Sequence, residues 1–333
     1  MIDRTIGFWG HELRGFALLS VTLVFAYVLN NFLIHVAGAH RLLDGGVTVI
    51  VIYLVALGLG GLETGLFSGQ SLGQTAHNLS GFNAYVVRGA FWAVFLVGLV
   101  DASISFLRIE NFAETLLGEN LASSMNKQNF RGPYIHIPLV ALGFVIAAFT
   151  RGLGFIWLTL LVVFSQLFIV ITVNVYSYEQ AFQADLVRFW YAALFLFATA
   201  HTLLAGGHVR VDVVFANLSE FHKKRVNFWG ALLLGLPLAW ISLVIGTWDQ
   251  SRIINSPILR YEIGQQSVGG LYIKYLMAGF LLILAVTLVI EFVALMLASA
   301  DRSSAADRNA EPDQRSKAQT PDIDQKSSEE EMI

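Results

Sequence analysis

The chain has no cysteine and little charge, and both absences narrow what it can be. Without cysteine there are no disulfides, no thiolate nucleophile, no Cys-ligated zinc and no Cys-ligated iron–sulfur cluster, while histidine and carboxylate sites stay open. Only 14% of the 333 residues are charged and 56% are apolar, against about 25% charged in an ordinary soluble domain. A water-facing surface cannot be assembled from that composition, so the bilayer is the solvent this chain is built for. The net charge of -3 is spread over tails and loops, and no basic surface for nucleic acid is present. Lipid and protein are therefore the expected partners. The sequence also lacks a Walker motif, a nucleophile elbow and a His-Glu-x-x-His pair, so nothing in it suggests an enzyme or a metal site.

What is abundant is the long apolar run. A spanning helix needs about 20 mostly apolar residues, because ~30 Å of hydrocarbon is crossed at ~1.5 Å per residue. Seven segments meet or nearly meet this: Gly15 to Val36, Val47 to Phe67, Tyr85 to Leu107, Phe155 to Tyr176, Asp185 to Ala205, Phe228 to Trp248 and Ile273 to Leu297. Each is expected to be helical, since open backbone in lipid leaves its amides unpaired. Asp3, Arg4, Glu12 and Arg14 are too scattered for a signal-peptide n-region, and the run behind them is long enough to be read as a retained helix.

An eighth candidate, His136 to Thr150, is short and is followed by Arg151-Gly152-Leu153-Gly154; it either spans or lies re-entrant. The segment from Gly206 to Phe228 holds Arg210, Lys223, Lys224 and Arg225, which marks it as cytoplasmic by the positive-inside rule. Counting back by alternation, Arg151 is also cytoplasmic, and eight crossings put the amino terminus with Arg4 and Arg14 inside. The expected fold is thus an all-α polytopic membrane helix bundle of about eight transmembrane helices, or seven if 136–150 is re-entrant, with both termini cytoplasmic. Two polar breaks interrupt it: Arg108 to Tyr134, and a tail from 301 to 333 whose composition reads as disordered. No internal repeat and no matched pair of interrupted helices marks a substrate site of the kind transporters build from such pairs.

Polar groups inside apolar runs are few. Asp101 falls within the third run beside Ser103 and Ser105, and an intramembrane acid is a functional candidate, with water or Arg108 as the bland alternative for its partner. Glu63 and Glu291 are read as acids reaching an interface, and Asn30 and Asn31 as bonding across helices. Paired imidazoles can ligate haem, but His35, His136 and His201 lie at or near helix ends, and no two histidines share a span at the spacing stacked haems need.

The most specific stretch is Gly206-Gly207-His208-Val209-Arg210-Val211-Asp212. The glycines end the fifth run, Asp212 caps the segment from Val213, and Arg210 and His208 face headgroups or a partner, which makes a cytoplasmic turn. It is followed by Leu218-Ser219, the basic cluster His222-Lys223-Lys224-Arg225, and a helix with Pro237; Ser267, Gly269, Gly270 and Leu271 form a loop before the last run. These features resemble the small permease (DctQ-like) subunit of tripartite ATP-independent periplasmic (TRAP) transporters, over roughly Leu153 to Leu297. Asp185 stands where that family usually has Glu, and Tyr272 and Met277 to Gly279 replace its prolines. Residues 1 to 150 are then an additional transmembrane region, 151 to 300 the small-permease four-helix core, and 301 to 333 the tail.

The resemblance implies the scaffold subunit of a secondary transporter, a symporter of organic acids or related solutes, in a bacterial inner membrane. Its partners would be a large membrane subunit, which holds the substrate and sodium sites, and a periplasmic solute-binding protein. No substrate-binding, catalytic or cofactor role is then expected of this chain. Gly207, His208, Arg210 and Asp212 shape the cytoplasmic turn, Ser267, Gly269 and Gly270 the periplasmic loop, and Trp229 and Trp248 anchor helix ends. The readings it competes with are a membrane adaptor without a transport role and a b-type cytochrome-like redox subunit.

Overall fold

The computed structural model describes residues 2–36, 46–66, 68–151, 155–204, 215, 217–264 and 269–301. Of these, 86% are helical, and there is no strand among the described residues. The chain runs through α1 (Ile2–Val36), α2 (Val47–Leu66), α3 (Leu72–Ile109), three short helices α4 (Phe112–Leu117), α5 (Glu119–Met125) and α6 (Gln128–Arg131), then α7 (Ile137–Phe149), α8 (Phe155–Tyr176) and α9 (Ala181–Leu204). After the turn region come α10 (Glu220–Gly230), α11 (Leu236–Thr247), α12 (Asn255–Arg260) and α13 (Lys274–Ala300). Eight helices among the described residues are long and apolar enough to cross a membrane, so the chain is a multi-pass all-α bundle. The fourth of them is the 22-residue stretch Gln128–Phe149, which makes the short candidate at His136 to Thr150 a full-length crossing.

That lengthening comes from π-helical turns. α6 and α7 are joined by a π segment at Gly132–His136, and α10 and α11 by another at Ala231–Gly235, closed by Ile137 N–H to Gly132 C=O and by Leu236 N–H to Ala231 C=O. Each lies just ahead of a proline, Pro138 and Pro237, at the same offset. A proline lacks an amide hydrogen and its ring clashes with the carbonyl four residues back, here Tyr134 and Leu233, so the preceding turn widens instead of breaking. The sequence made 131–134 look like loop because Arg131, Gly132 and Pro133 are poor residues for an apolar span.

α3 is the other surprise of length. It starts at Leu72, thirteen residues before the expected Tyr85, with Ser71 as N-cap accepting from Gln74 N at 3.0 Å. Its 38 residues make a rod of about 57 Å. With α13 it forms the centre of the bundle: 56% of the membrane-length stretch of α3 and 61% of that of α13 is buried, against 11% for α8. Towards the end of the bundle that carries Asp301, Val289, Ile290 and Val293 of α13 pack with Ala17, Val21 and Val24 of α1 and with Ala231 and Leu236. Towards the other end, Phe280 of α13 joins Val94 and Val97 of α3 and Phe189, Trp190 and Phe197 of α9. Helices from residues 1–150 and 151–300 thus share one core.

In lipid the apolar surface of a helix gains little by leaving one apolar phase for another, so close approach at small residues sets the packing. α3 and α7 meet in this way: a Cβ added at Gly143 would lie 2.5 Å from Ala93 N, a backbone atom that cannot turn aside. At Gly61 on α2 it would meet nothing within 4 Å. Gly143→Ala should therefore lower the unfolding free energy by about 1–3 kcal/mol through overpacking. Gly61→Ala should leave it unchanged or raise it by up to ~1 kcal/mol through helix propensity. Unfolding in detergent of the two variants side by side checks the contrast, and equal effects would refute this account of the α3–α7 contact.

Candidate functional site

The densest polar constellation lies in the interior, around Asp101. On α3, Asp101, Ser105 and Arg108 recur at three and four residues and so share a face. Asp101 is 0% exposed, eight residues or ~12 Å from the end of α3. Its Oδ1 accepts from Arg131 Nη1 at 2.9 Å and from His136 Nε2 at 2.9 Å; its Oδ2 accepts from the backbone amide of Tyr272 at 2.8 Å. Arg131 and His136 are also 0% exposed. In a regular α-helix two residues five apart point about 140° away from each other. The π turn between them, with its i to i+5 bonding, stacks one nearly over the other, and so both reach a single carboxylate.

The proton positions follow from the partners. A carboxylate only accepts, so His136 Nε2 carries a hydrogen; Nδ1 hydrogen-bonds the Tyr275 hydroxyl 2.6 Å away, accepting from it when the imidazole is neutral. The Tyr275 ring stacks on the imidazole at 14°, and Tyr261 meets Tyr275 edge-on with ring centroids 5.2 Å apart. Gly132 makes room for Tyr261, whose ring occupies the space a side chain there would need. Arg131 Nε donates to Met125 O at 2.9 Å, and its Nη2 has no hydrogen-bond partner among the described residues. The face of Tyr272 lies 4.0 Å from the guanidinium carbon and supplies the compensating negative potential.

Arg108 does not reach Asp101. Its Nη1 donates to Tyr272 Oη at 3.0 Å and its Nη2 to Gly270 O at 3.4 Å, while Tyr272 Oη donates to Asn126 O at 2.8 Å. Leu271 N donates to Asp185 Oδ2 at 3.1 Å. Two of the predicted loop residues, Gly269 and Gly270, therefore lie in a strap that α3 and α9 hold from both sides, next to a cleft of about 680 Å³ walled by Arg108, Asn126, Gln180 and Tyr272. Ser267 lies outside the described residues, as do Gly207, His208, Arg210 and Asp212 and the tail from 302 onward.

At the same end, Tyr178 donates to Glu110 Oε1 at 2.7 Å, and burial together with that carboxylate pushes the phenol up to about 12. Glu262 pairs with Lys274 at 2.7 Å and is held below the usual carboxylate range, chiefly by that hydrogen bond. Across the bundle Asn31 and Asn255 exchange two amide hydrogen bonds at 2.9 and 3.0 Å, and Asn255 also bonds His35 and Thr247 O, which joins α1 to α11 and α12. Trp229 and Trp248 are half exposed, as interface anchors are.

Three sequence expectations change. Asp101 meets neither water nor Arg108, because Arg131 and His136 stand closer on the next crossing. His136 lies eight residues inside a span, not at its edge. Glu291 does not reach an interface: it is 3% exposed and bonds Asn83 Nδ2 at 2.7 Å. Sequence reasoning missed Arg131 altogether, although Pro138 inside an apolar run signalled that the crossing starts earlier. No group of three or more His, Asp or Glu suited to a metal ion occurs among the described residues. Compared with known proteins, the chain matches no family model, no curated protein and no solved structure.

Asp101→Ala leaves the Arg131 guanidinium buried without its counter-ion and should cost about 3–5 kcal/mol of unfolding free energy. Tyr275→Phe, which strands His136 Nδ1 alone, should cost about 1–3 kcal/mol. Denaturant unfolding in mild detergent reads both, and an Asp101→Ala protein as stable as the parent would exclude the cluster as a fastener. Because Glu262 is depressed in the folded state, its stabilisation is present above the unfolded carboxylate range and is lost as pH falls through the lower folded value. Lys274→Met should flatten that acid-side slope in the midpoint of thermal unfolding and lower the neutral-pH value by a correspondingly small amount, as expected of a half-exposed pair.

Proposed function

We propose that this chain is a scaffold subunit of a membrane transporter, and specifically the small membrane subunit of a TRAP-type system in a bacterial inner membrane. The observation that carries the scaffold reading is the closure of the Asp101 cluster. The carboxylate spends its acceptors on three donors from its own chain and both His136 nitrogens are engaged, so the strongest charges in the interior fasten crossings together and present nothing to a passing solute. The same engagement disfavours the redox reading, since both His136 nitrogens are already hydrogen-bonded and neither is free for haem iron.

The TRAP assignment rests on the sequence resemblance around Gly206 to Asp212. It gains support from Asp185, at the family's acidic position, holding the amide of Leu271 in the Gly-Gly-Leu strap. On this reading Asp301 and both termini face the cytoplasm, and the Asp101 end faces the periplasm, where a solute-binding protein docks. α8, 11% buried and carrying Trp157, Phe164 and Phe168 outward, is the face turned to the large subunit. The large subunit holds substrate and sodium and does the moving; this chain braces it and has no catalytic step of its own.

In proteoliposomes the chain alone should take up no organic acid, and uptake should appear only with the large subunit and binding protein present. Saturable uptake by the chain alone would overturn the proposal. Failure to co-purify with a larger multi-spanning partner would favour an adaptor of another kind, and a Soret band in the purified protein would restore the redox reading.

A further inference from the structure

Glu291 lies well inside the bilayer-length part of α13, about 26 Å from the helix start and 13 Å from its end. Facing it on α3 is Asn83, 1% exposed. Asn83 Nδ2 donates one hydrogen to Glu291 Oε1 at 2.7 Å and the other to Thr287 O at 3.2 Å. The amide cannot be turned over, because Oδ1 would then face the Thr287 carbonyl, which only accepts. Two buried oxygens in this contact, Asn83 Oδ1 and Glu291 Oε2, have no partner at hydrogen-bonding distance among the described residues, although the Ser80 hydroxyl lies close to the carboxyl. They belong to two groups already hydrogen-bonded to each other through their other atoms.

Among the described residues no cation answers them. Of the elements packed on α13, α1 brings Arg14, which bonds Gln70 O ahead of the first residue of α3, about 16 Å along that helix from Asn83, and Tyr27, which bonds Thr247. α3 brings His77, which is exposed, Arg88, which turns to Ala147 O on α7, and Asp101 in its own cluster. α9 brings Asp185 and Arg188, at the opposite end of α13, where Glu262 pairs with Lys274 and α12 carries Arg260. α10 brings Glu220 paired with Lys223, Lys224 bonded to Asp301 O, and Arg225 over Phe221, and α11 brings no ionisable group. Around the carboxyl itself the polar neighbours are Asn83, Ser80 and Thr287, and the rest is apolar.

We propose that Asn83 and Glu291 form an intramembrane proton-binding site, occupied at neutral pH, in which Glu291 is a neutral acid whose Oε2–H donates to Asn83 Oδ1. One proton satisfies both orphaned oxygens at once and closes a cyclic acid–amide pair, with Nδ2–H to Oε1 as its other half. On loading, an O–H bond forms at Oε2 and hydronium in the aqueous phase gives up the proton; on release, water takes it back. A carboxylate here would instead keep a full charge in low dielectric beside the negative end of the Asn83 dipole. A metal cation would need several more oxygen ligands than these two groups supply. The site does not depend on the transport reading, and it lies between the two central helices.

Difference infrared spectroscopy of the purified protein against Glu291→Gln at pH 7 tests it. The parent should show the carbonyl stretch of an un-ionised carboxylic acid that the variant lacks, shifting in heavy water and unaffected when sodium chloride replaces choline chloride. Asn83→Ala should move the same band to higher frequency, since the acid loses its hydrogen-bond partner; this second variant keeps the test usable if Glu291→Gln does not fold. No such band at pH 7 would overturn the proposal, and a band removed by sodium would replace the proton with a metal cation.

Discussion

A carboxylate taken out of water must find its donors inside the protein, and the way Asp101 finds them dictates much of the fold around it. The donors come from two places far apart in sequence: a guanidinium at the start of the fourth crossing with an imidazole five residues later, and the amide of Tyr272 in the strap ahead of the last crossing. None is dispensable, because a buried charge short of partners costs several kcal/mol. The strap, the α6 to α7 junction and the end of α3 are therefore one unit. Arg131 and Arg108 both lie against the ring of Tyr272, so the aromatic acts as a shared wall between the sealed carboxylate and the open cleft.

The two central helices carry a charge-bearing lock near one end and an acid–amide contact nearer the other. The first is balanced by an ion pair; the second has no counter-ion within reach among the described residues and is balanced by neutrality. Both solve the same problem, that polar groups between helices must be satisfied from within the protein. Peripheral crossings such as α8 carry no comparable burden and leave most of their surface to lipid or to another chain.

Much of the architecture is legible in the sequence, because apolar runs of bilayer length leave the backbone few options. The places where that reading fell short share a cause. The first turns of α3 carry Gln74, His77, Asn78 and Asn83, whose polarity conceals a helix that packs them against α13 or leaves them at the surface. Arg131 and Gly132 likewise look like loop residues until the widened turn before Pro138 is recognised. Asp101 was identifiable as an acid in a span, yet its partners lay on a helix that hydropathy began too late. Glu291 was taken for an interface residue since nothing in one sequence places Asn83 opposite it.

Each π turn stores one residue more than a regular helix of the same rise would use. The helix faces before and after it are consequently out of phase by about 100°. In the fourth crossing this phase offset is what lets Arg131 and His136 bear on the same carboxylate while Gly143, further along, still meets α3 at Ala93. A chain one residue shorter there would keep every neighbour in its order and every apolar side chain in the membrane, but it would turn a different side of the helix to α3. The bearing of the crossing, as distinct from its composition, is set by that single surplus residue.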